Sequence, residues 1–184
     1  MQKKIDLREL VLASLFAVLT AVGAFIRIPT GISSVTLQFM FTALSGTLLG
    51  ARSGALSQLI YVLLGLLGLP VFTAGGGFSY VLNPTFGFLL GLIPSAWLIG
   101  RMAESSRSIR SVCIACLAGL GVLYAIGLPY MYIILNFYMK RNLTIGYVLY
   151  AGMLIFLPGD FLKIIITAIV TNKIPKGLGQ TKGK

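Results

Sequence analysis

Apolar residues follow one another along this chain in long runs, and short polar stretches with glycine and proline separate the runs. A helix needs about 20 apolar residues to cross the hydrocarbon core of a bilayer, which is roughly 30 Å thick. The first run, residues 7–26, has that length and ends where Arg27, Pro29 and Gly31 follow. It predicts one spanning helix.

The next apolar stretch is divided in two. The run 36–49 is short, breaks at residues 50–52, and resumes over 53–69 until Pro70 stops it. Because glycine and proline interrupt helices, this pattern predicts a second and a third helix joined by a tight connection.

The second half of the chain predicts three more helices and two segments of another kind. Residues 71–83 read VFTAGGGFSYVLN, too irregular for a span and too apolar for an exposed loop, so this segment is expected to line or cap a cavity. Helices are predicted over 84–100, 111–138 and 158–173, the first and last with proline in the first turn. The run 144–157 has about 14 residues, too few to span, and is interpreted as a re-entrant or lid segment.

Basic residues are unequally distributed between the two sides that six crossings create. Because Lys and Arg are enriched on the cytoplasmic side, the excess predicts that both termini are cytoplasmic. A seventh span would move the C-terminal lysines outside and remove the excess. The side of the N-terminus holds Lys3, Lys4, Arg8, Arg52, Arg101, Arg107, Arg110, Lys173, Lys176, Lys182 and Lys184, and the other side holds Arg27, Lys140 and Arg141.

The composition agrees with a membrane protein. Of the 184 residues, 57% are hydrophobic and 10% are charged, whereas soluble domains have about 45–50% and 25%. The net charge of +11 is dispersed between apolar runs and not clustered on one solvated face, as nucleic-acid binding requires. The predicted fold class is an all-α polytopic membrane protein, a single transmembrane domain over residues 1–184 with six helices and the re-entrant or lid segment.

This sequence contains few side chains that could act in catalysis or bind a metal. There is no histidine, so hydrolytic triads and most general-base schemes are missing. Cys113 and Cys116 stand in an apolar run without further ligands for zinc and are interpreted as packing residues. No phosphate-binding loop of the G-x-x-x-x-G-K-[ST] type occurs. We expect no enzyme activity, no ATP hydrolysis, no metal and no cofactor.

Asp160 and Lys163 are the clearest candidates for a site. Charged groups within a span are unfavourable by about 2.5 to 3.5 kcal/mol each and usually mark function. At a spacing of three residues the two lie on one helix face. A simple structural ion pair is the alternative interpretation.

Small residues recur at the four-residue spacing that lets helices approach closely. Most such sets are expected to pack the bundle internally. The set on helix one is the best candidate for docking a partner, because the neighbouring positions Leu12, Phe16 and Leu19 are purely apolar. The sets are Ala13, Ala17 and Ala21; Gly46, Gly50 and Gly54; and Gly87 and Gly91.

Two stretches carry a resemblance to a known family. GARSGALSQLIYVLLGLLGLPVFTAGGGFSYVLNPTFGFLLG, residues 50–91, and LPGDFLK, residues 157–163, resemble the biotin-specific substrate-binding subunits (S components) of energy-coupling-factor transporters, the BioY family. The likeness extends over essentially the whole chain. It implies six helices, cytoplasmic termini, capture of biotin near the outer face of a prokaryotic plasma membrane, and partnership with a transmembrane coupling subunit and two ATPase subunits.

The resemblance also implies roles for particular residues. Asp160 and Lys163 match the family's Pro-Gly-Asp-x-x-Lys motif, and Asn83 with Gly75, Gly76 and Gly77 falls in its binding-loop motif. The small-residue face Ala13-x-x-x-Ala17 matches the family's docking motif for the coupling subunit, and Ala21 extends this face by one turn.

Biotin suits such a site, because its ureido ring offers two N–H donors and a carbonyl acceptor. Asp160 and Lys163 are the expected partners of that ring. The valerate carboxylate is then expected against backbone N–H groups of the glycine loop, with Phe39 and Tyr80 around the thiophane ring. The opposite orientation, with Lys163 on the carboxylate, stays open.

Three rival functions remain at this stage. An S component for another vitamin, such as thiamin or riboflavin, shares the architecture. A stand-alone secondary carrier is expected to contain internal repeats, and none is evident. A membrane-embedded enzyme starts with too few catalytic groups.

Overall fold

The computed structural model describes residues 6–30 and 34–175, and this part of the chain is mostly helical. Several residues used in the topology prediction, namely Lys3, Lys4, Gly31, Lys176, Lys182 and Lys184, lie outside the described residues. The helices are α1 (Leu7–Phe25), α2 (Gln38–Leu49), α3 (Ala51–Leu66), α4 (Phe86–Ala103), α5 (Ile109–Ile133), α6 (Ile145–Leu149) and α7 (Leu157–Lys173). A 3₁₀ helix covers Phe78–Leu82, and π-helical turns cover Ile134–Tyr138 and Tyr150–Leu154.

A small β-hairpin corrects the all-α prediction. After α1 the chain forms β1 (Arg27–Pro29) and β2 (Ser34–Thr36), which pair antiparallel with Arg27 opposite Thr36. The strands are only three residues long, and β-branched Ile28 and Val35 face each other at their centre. The apolar periodicity of the flanking helices gave no sign of so short a ladder.

Within residues 6–30 and 34–175, four helical stretches are long and apolar enough to cross a membrane: Leu7–Phe25, Phe86–Ala103, Ile109–Tyr138 and Ile145–Lys173. The predicted second and third helices are α2 and α3, which are apolar but shorter, with 12 and 16 residues. The predicted re-entrant or lid segment is largely helical and runs into α7 after a short turn at residues 155–156. The count of six crossings stays a prediction.

Glycines set the crossing of α2, α3 and α4. Gly50 joins α2 to α3 with a φ of 87°, a conformation that L side chains rarely adopt. On either side of this turn, a Cβ on Gly54 would lie 2.8 Å from the Cα of Gly46. A Cβ on Gly100 of α4 would lie 2.6 Å from the Cα of Ala51. The predicted internal packing role of the Gly46 and Gly54 set is therefore confirmed.

The glycines of α4 have the same role at its contact with α5. A Cβ on Gly87 would overlap the side chain of Tyr130, and one on Gly91 would lie 3.2 Å from the carbonyl oxygen of Leu123. This close approach confirms that the predicted set on α4 packs the bundle internally.

A buried polar cluster joins the first three helices. The Gln58 side chain of α3 accepts a hydrogen bond from Thr42 of α2 at 3.0 Å. Its Nε2, which has two N–H donors, lies 3.0–3.3 Å from the hydroxyl oxygens of Thr20 of α1, Ser45 and Ser57. All five side chains are buried. Because polar groups in an apolar interior need partners, these bonds specify how α1, α2 and α3 pack together.

Candidate substrate-binding cavity

A cavity of about 210 Å³ lies among the hairpin, the beginning of α2, residues 73–85, α4, α5 and the beginning of α7. Its wall is mixed, because leucine and aromatic side chains of α4 and α5 face charged and amide side chains of the other elements. A few convergent polar groups in a largely apolar concavity are typical of small-molecule sites.

Asp160 and Lys163 stand at one side of the cavity, one helical turn apart at the beginning of α7. The Lys163 ammonium donates to Oδ1 of Asp160 at 2.6 Å, and the Tyr124 hydroxyl of α5 donates to Oδ2 at 2.5 Å. Asp160 and Lys163 are 4% and 5% exposed. The carboxylate is thus compensated by two hydrogen-bond donors, as a buried charge requires.

This trio keeps unused hydrogen-bonding capacity. Each carboxylate oxygen has further lone pairs, and an ammonium has three N–H donors, of which one is used here. The ion pair of the alternative, purely structural interpretation is therefore present, but its two side chains line the cavity. A ligand group that carries both donors and an acceptor finds partners at this point.

Asn83 also lines the cavity, at the end of the loop that precedes α4. Its Oδ1 accepts hydrogen bonds from the backbone N–H of Thr85 at 3.0 Å and from the Thr85 hydroxyl at 2.8 Å. This local turn fixes the side chain. The two N–H donors of the amide are left for a ligand.

Phe39 and Tyr80 both lie in the cavity wall, as predicted, and both are buried. The Tyr80 ring packs on Phe72 with 4.6 Å between ring centroids, and its hydroxyl lies 2.9 Å from that of Thr73. The structure thus brings five of the predicted site residues to one cavity. They are Phe39, Tyr80, Asn83, Asp160 and Lys163.

Gly75, Gly76 and Gly77 of the glycine loop are not among the residues that line the cavity, and their part in binding stays a prediction. The N–H of Gly75 donates to the Phe72 carbonyl at 3.2 Å, and that of Gly77 donates to the Gly65 carbonyl at 2.7 Å. These two donors are therefore used within the backbone and do not await a carboxylate. The loop has a structural role, since it folds back on the end of α3 and places Thr73 and Ala74 in the cavity wall.

The predicted docking residues of α1 lie on its inward side, and their role in docking stays a prediction. Ala13, Ala17 and Ala21 are 0%, 2% and 9% exposed, because this side of α1 packs on the chain's own helices. Their small side chains allow that close packing. The exposed apolar side chains of α1 are Leu7, Leu10, Val11, Leu15, Val18, Val22 and Phe25.

Some cavity residues were not found from the sequence. Tyr124 stands in an apolar run where an aromatic residue is ordinary, and only its hydroxyl hinted at a polar partner. Gln38 was detectable in principle as an amide within an apolar helix; it donates to the Tyr61 hydroxyl at 2.9 Å and accepts from Thr36 at 2.9 Å. The sequence indicated Arg27 only as a basic residue at the end of the first predicted span, yet its side chain lines the cavity.

Comparisons with known proteins identify the family. The BioY family profile matches residues 1–180. A probable biotin transporter BioY of Lysinibacillus sphaericus is 41% identical, covering 96% of this chain and 91% of its own length. A biotin transporter BioY of Thermotoga maritima is 36% identical over 92% and 97% of the two chains.

A solved structure has the same fold. The crystal structure of the S component for biotin from an ECF-type ABC transporter superposes with a TM-score of 0.79, at 25% identity, over 94% of this chain and 93% of that one. Together with the match over residues 1–180, this similarity shows that the chain belongs to the BioY family.

Proposed function

We propose that this chain binds biotin in the cavity beside α7 and is the substrate-capturing S component of an energy-coupling-factor transporter. The observation that carries the proposal is the buried trio of Asp160, Lys163 and Tyr124, which opens on a small cavity in a member of the BioY family. The family consists of transporter components, not enzymes, and no cofactor is indicated.

The cavity suits the chemistry of biotin. The ureido N–H groups donate to Asp160, and the ureido carbonyl accepts from Lys163 or from the Asn83 amide. Phe39 and Tyr80 supply apolar surface for the thiophane ring. The assignment of these five residues is part of the proposal.

Calorimetric titration of the detergent-purified protein tests the biotin assignment. We expect saturable one-to-one binding of biotin and no competition by thiamin or riboflavin, because neither vitamin presents a carbonyl group flanked by two N–H donors. Binding of another vitamin in place of biotin would transfer the assignment to that vitamin. A folded protein that binds none of the three would contradict the proposal.

The chain is an integral membrane protein, and we propose six crossings with both termini in the cytoplasm of a prokaryote. Within the described residues, the basic residues that then lie inside are Arg8, Arg52, Arg101, Arg107, Arg110 and Lys173, and those that lie outside are Arg27, Lys140 and Arg141. The excess of inside basic residues supports this orientation.

Cysteine labelling in intact cells tests this orientation. The two loops to compare are the one between α4 and α5, through Ser106→Cys, and the one after α5, through Asn142→Cys. In a chain whose own cysteines are replaced by serine, a membrane-impermeant maleimide should label position 142 and not position 106. The reverse pattern, or labelling of both, would contradict the proposed topology.

We further propose that transport requires a transmembrane coupling subunit and two ATPase subunits, since the sequence contains no phosphate-binding loop. The proposed docking surface is the outward side of α1, next to the buried Ala13, Ala17 and Ala21. Uptake of labelled biotin by vesicles should need all three partner subunits. Equal uptake by the chain alone would instead identify a stand-alone carrier.

A further inference from the structure

The charges in the cavity wall do not cancel. Three charged side chains line it: Arg27, Asp160 and Lys163. Asp160 and Lys163 neutralise each other at 2.6 Å. Within the part of the chain that the structure describes, one positive charge of the wall is therefore uncompensated, and it belongs to Arg27.

Among the described residues, no carboxylate side chain is placed to pair with Arg27. The chain has four acidic residues, all within the described ranges. Asp6 and Glu9 are at the far end of the 19-residue α1, roughly 28 Å away along the helix. Glu104 pairs with Arg101, and Asp160 pairs with Lys163.

The position of Arg27 leaves its guanidinium available. Arg27 is the first residue of β1 and is exposed, and its Nη1 donates to the backbone carbonyl of Thr73. A guanidinium has five N–H donors in a planar fork, so one bond leaves a pair free for a carboxylate. The hydroxyl side chains of Ser34, Thr36 and Thr73 line the cavity with it.

The same geometry disfavours the opposite end of the cavity for an anion. A ligand carboxylate on Lys163 would also lie beside the Asp160 carboxylate, which is bonded to that ammonium. The ligand carboxylate and the Asp160 carboxylate would repel each other, and the charge of Lys163 is already compensated. The exposed, uncompensated Arg27 has neither disadvantage.

We infer that Arg27 binds the carboxylate of the ligand, whose head group points toward Asp160. Arg27 thereby selects ligands that carry a carboxylate. The inference rests on the proposed function, because it assigns the second end of the same ligand. It also replaces the glycine-loop N–H groups as the carboxylate partner.

The test compares biotin with biotin amide, which lacks the negative charge, on the parent protein and on Arg27→Gln. The parent should bind biotin roughly ten- to a hundredfold more tightly than the amide, the usual range for a hydrogen-bonded charge. In Arg27→Gln this ratio should fall to about one, while the affinity for the amide changes little. Arg27→Lys, which keeps the charge but not the fork, should give an intermediate ratio.

The ratio separates carboxylate binding from a structural role. If Arg27 only tied the hairpin to Thr73, Arg27→Gln would weaken acid and amide equally and keep the parent's ratio, which would overturn the inference. A ratio abolished by Lys163→Gln but kept in Arg27→Gln would overturn it by reversing the ligand. Lys140→Gln, a loop cation outside the cavity, is the control and should keep the ratio. A parent that binds neither compound would overturn the proposed function itself.

Discussion

Replacement of Asp160 by Asn should weaken biotin binding by at least about a hundredfold, the largest effect expected of any single cavity substitution. Asparagine keeps the shape of the side chain but not its charge. The Lys163 ammonium, now bonded to Asp160 at 2.6 Å, would be left buried without a counter-charge. The ureido N–H groups would lose an ionised acceptor. Titration of the variant beside the parent measures the loss.

A second variant separates lost binding from lost folding. Asp160→Asn combined with Lys163→Met removes both charges, so it should melt at a higher temperature than the single variant because no unpaired buried charge remains. It should still fail to bind. Glu104→Gln, which removes a carboxylate paired with Arg101 outside the cavity, should bind as the parent does. A double variant that regained parental affinity would contradict the role of this pair in binding.

Replacement of Gly100 by Ala should lower the melting temperature of the detergent-solubilised protein by roughly 3–10 °C. The added methyl group would meet the backbone of Ala51, with the Cα at 2.6 Å and the Gly50 carbonyl carbon also at 2.6 Å. Backbone cannot rotate away as a side chain does, so α4 must separate from the α2–α3 turn.

Gly121→Ala is the matched control for this substitution. Gly121 lies within α5 and is exposed, and a Cβ there meets nothing within 4 Å. Since glycine inside a helix is about 0.5–1 kcal/mol less stable than alanine, this variant should melt at the same or a slightly higher temperature. Equal destabilisation by the two variants would show that the contact with Ala51 does not set the packing.

Part of the cavity was predictable because it breaks a local rule. Asp160 and Lys163 stand out as charges within an apolar run, and the helical repeat places them on one face. Asn83, Phe39 and Tyr80 were named from the sequence and do line the cavity. The binding roles of all five remain predictions.

Small residues were harder to interpret. The four-residue spacing of small side chains indicates a helix face that allows close approach. Such a face can pack on a helix of the same chain or on a separate protein. Ala13, Ala17 and Ala21 proved to be buried by the chain itself. The glycine run at Gly75 and Gly77 suggested free N–H groups, and the fold uses both of them as backbone donors.

The sequence by itself determined the membrane class, the approximate extent of the helices and the charged pair on α7, because hydrophobic length, helical periodicity and misplaced charge are local properties. Only the tertiary structure decided which groups complete the cavity. Tyr124 donates a hydrogen bond to Asp160, 36 residues further along the chain, and Arg27 of the hairpin after α1 lines the same cavity. Such partners are brought together by the crossing of packed helices, and this geometry depends on the whole set of side-chain contacts, which no single stretch of sequence contains.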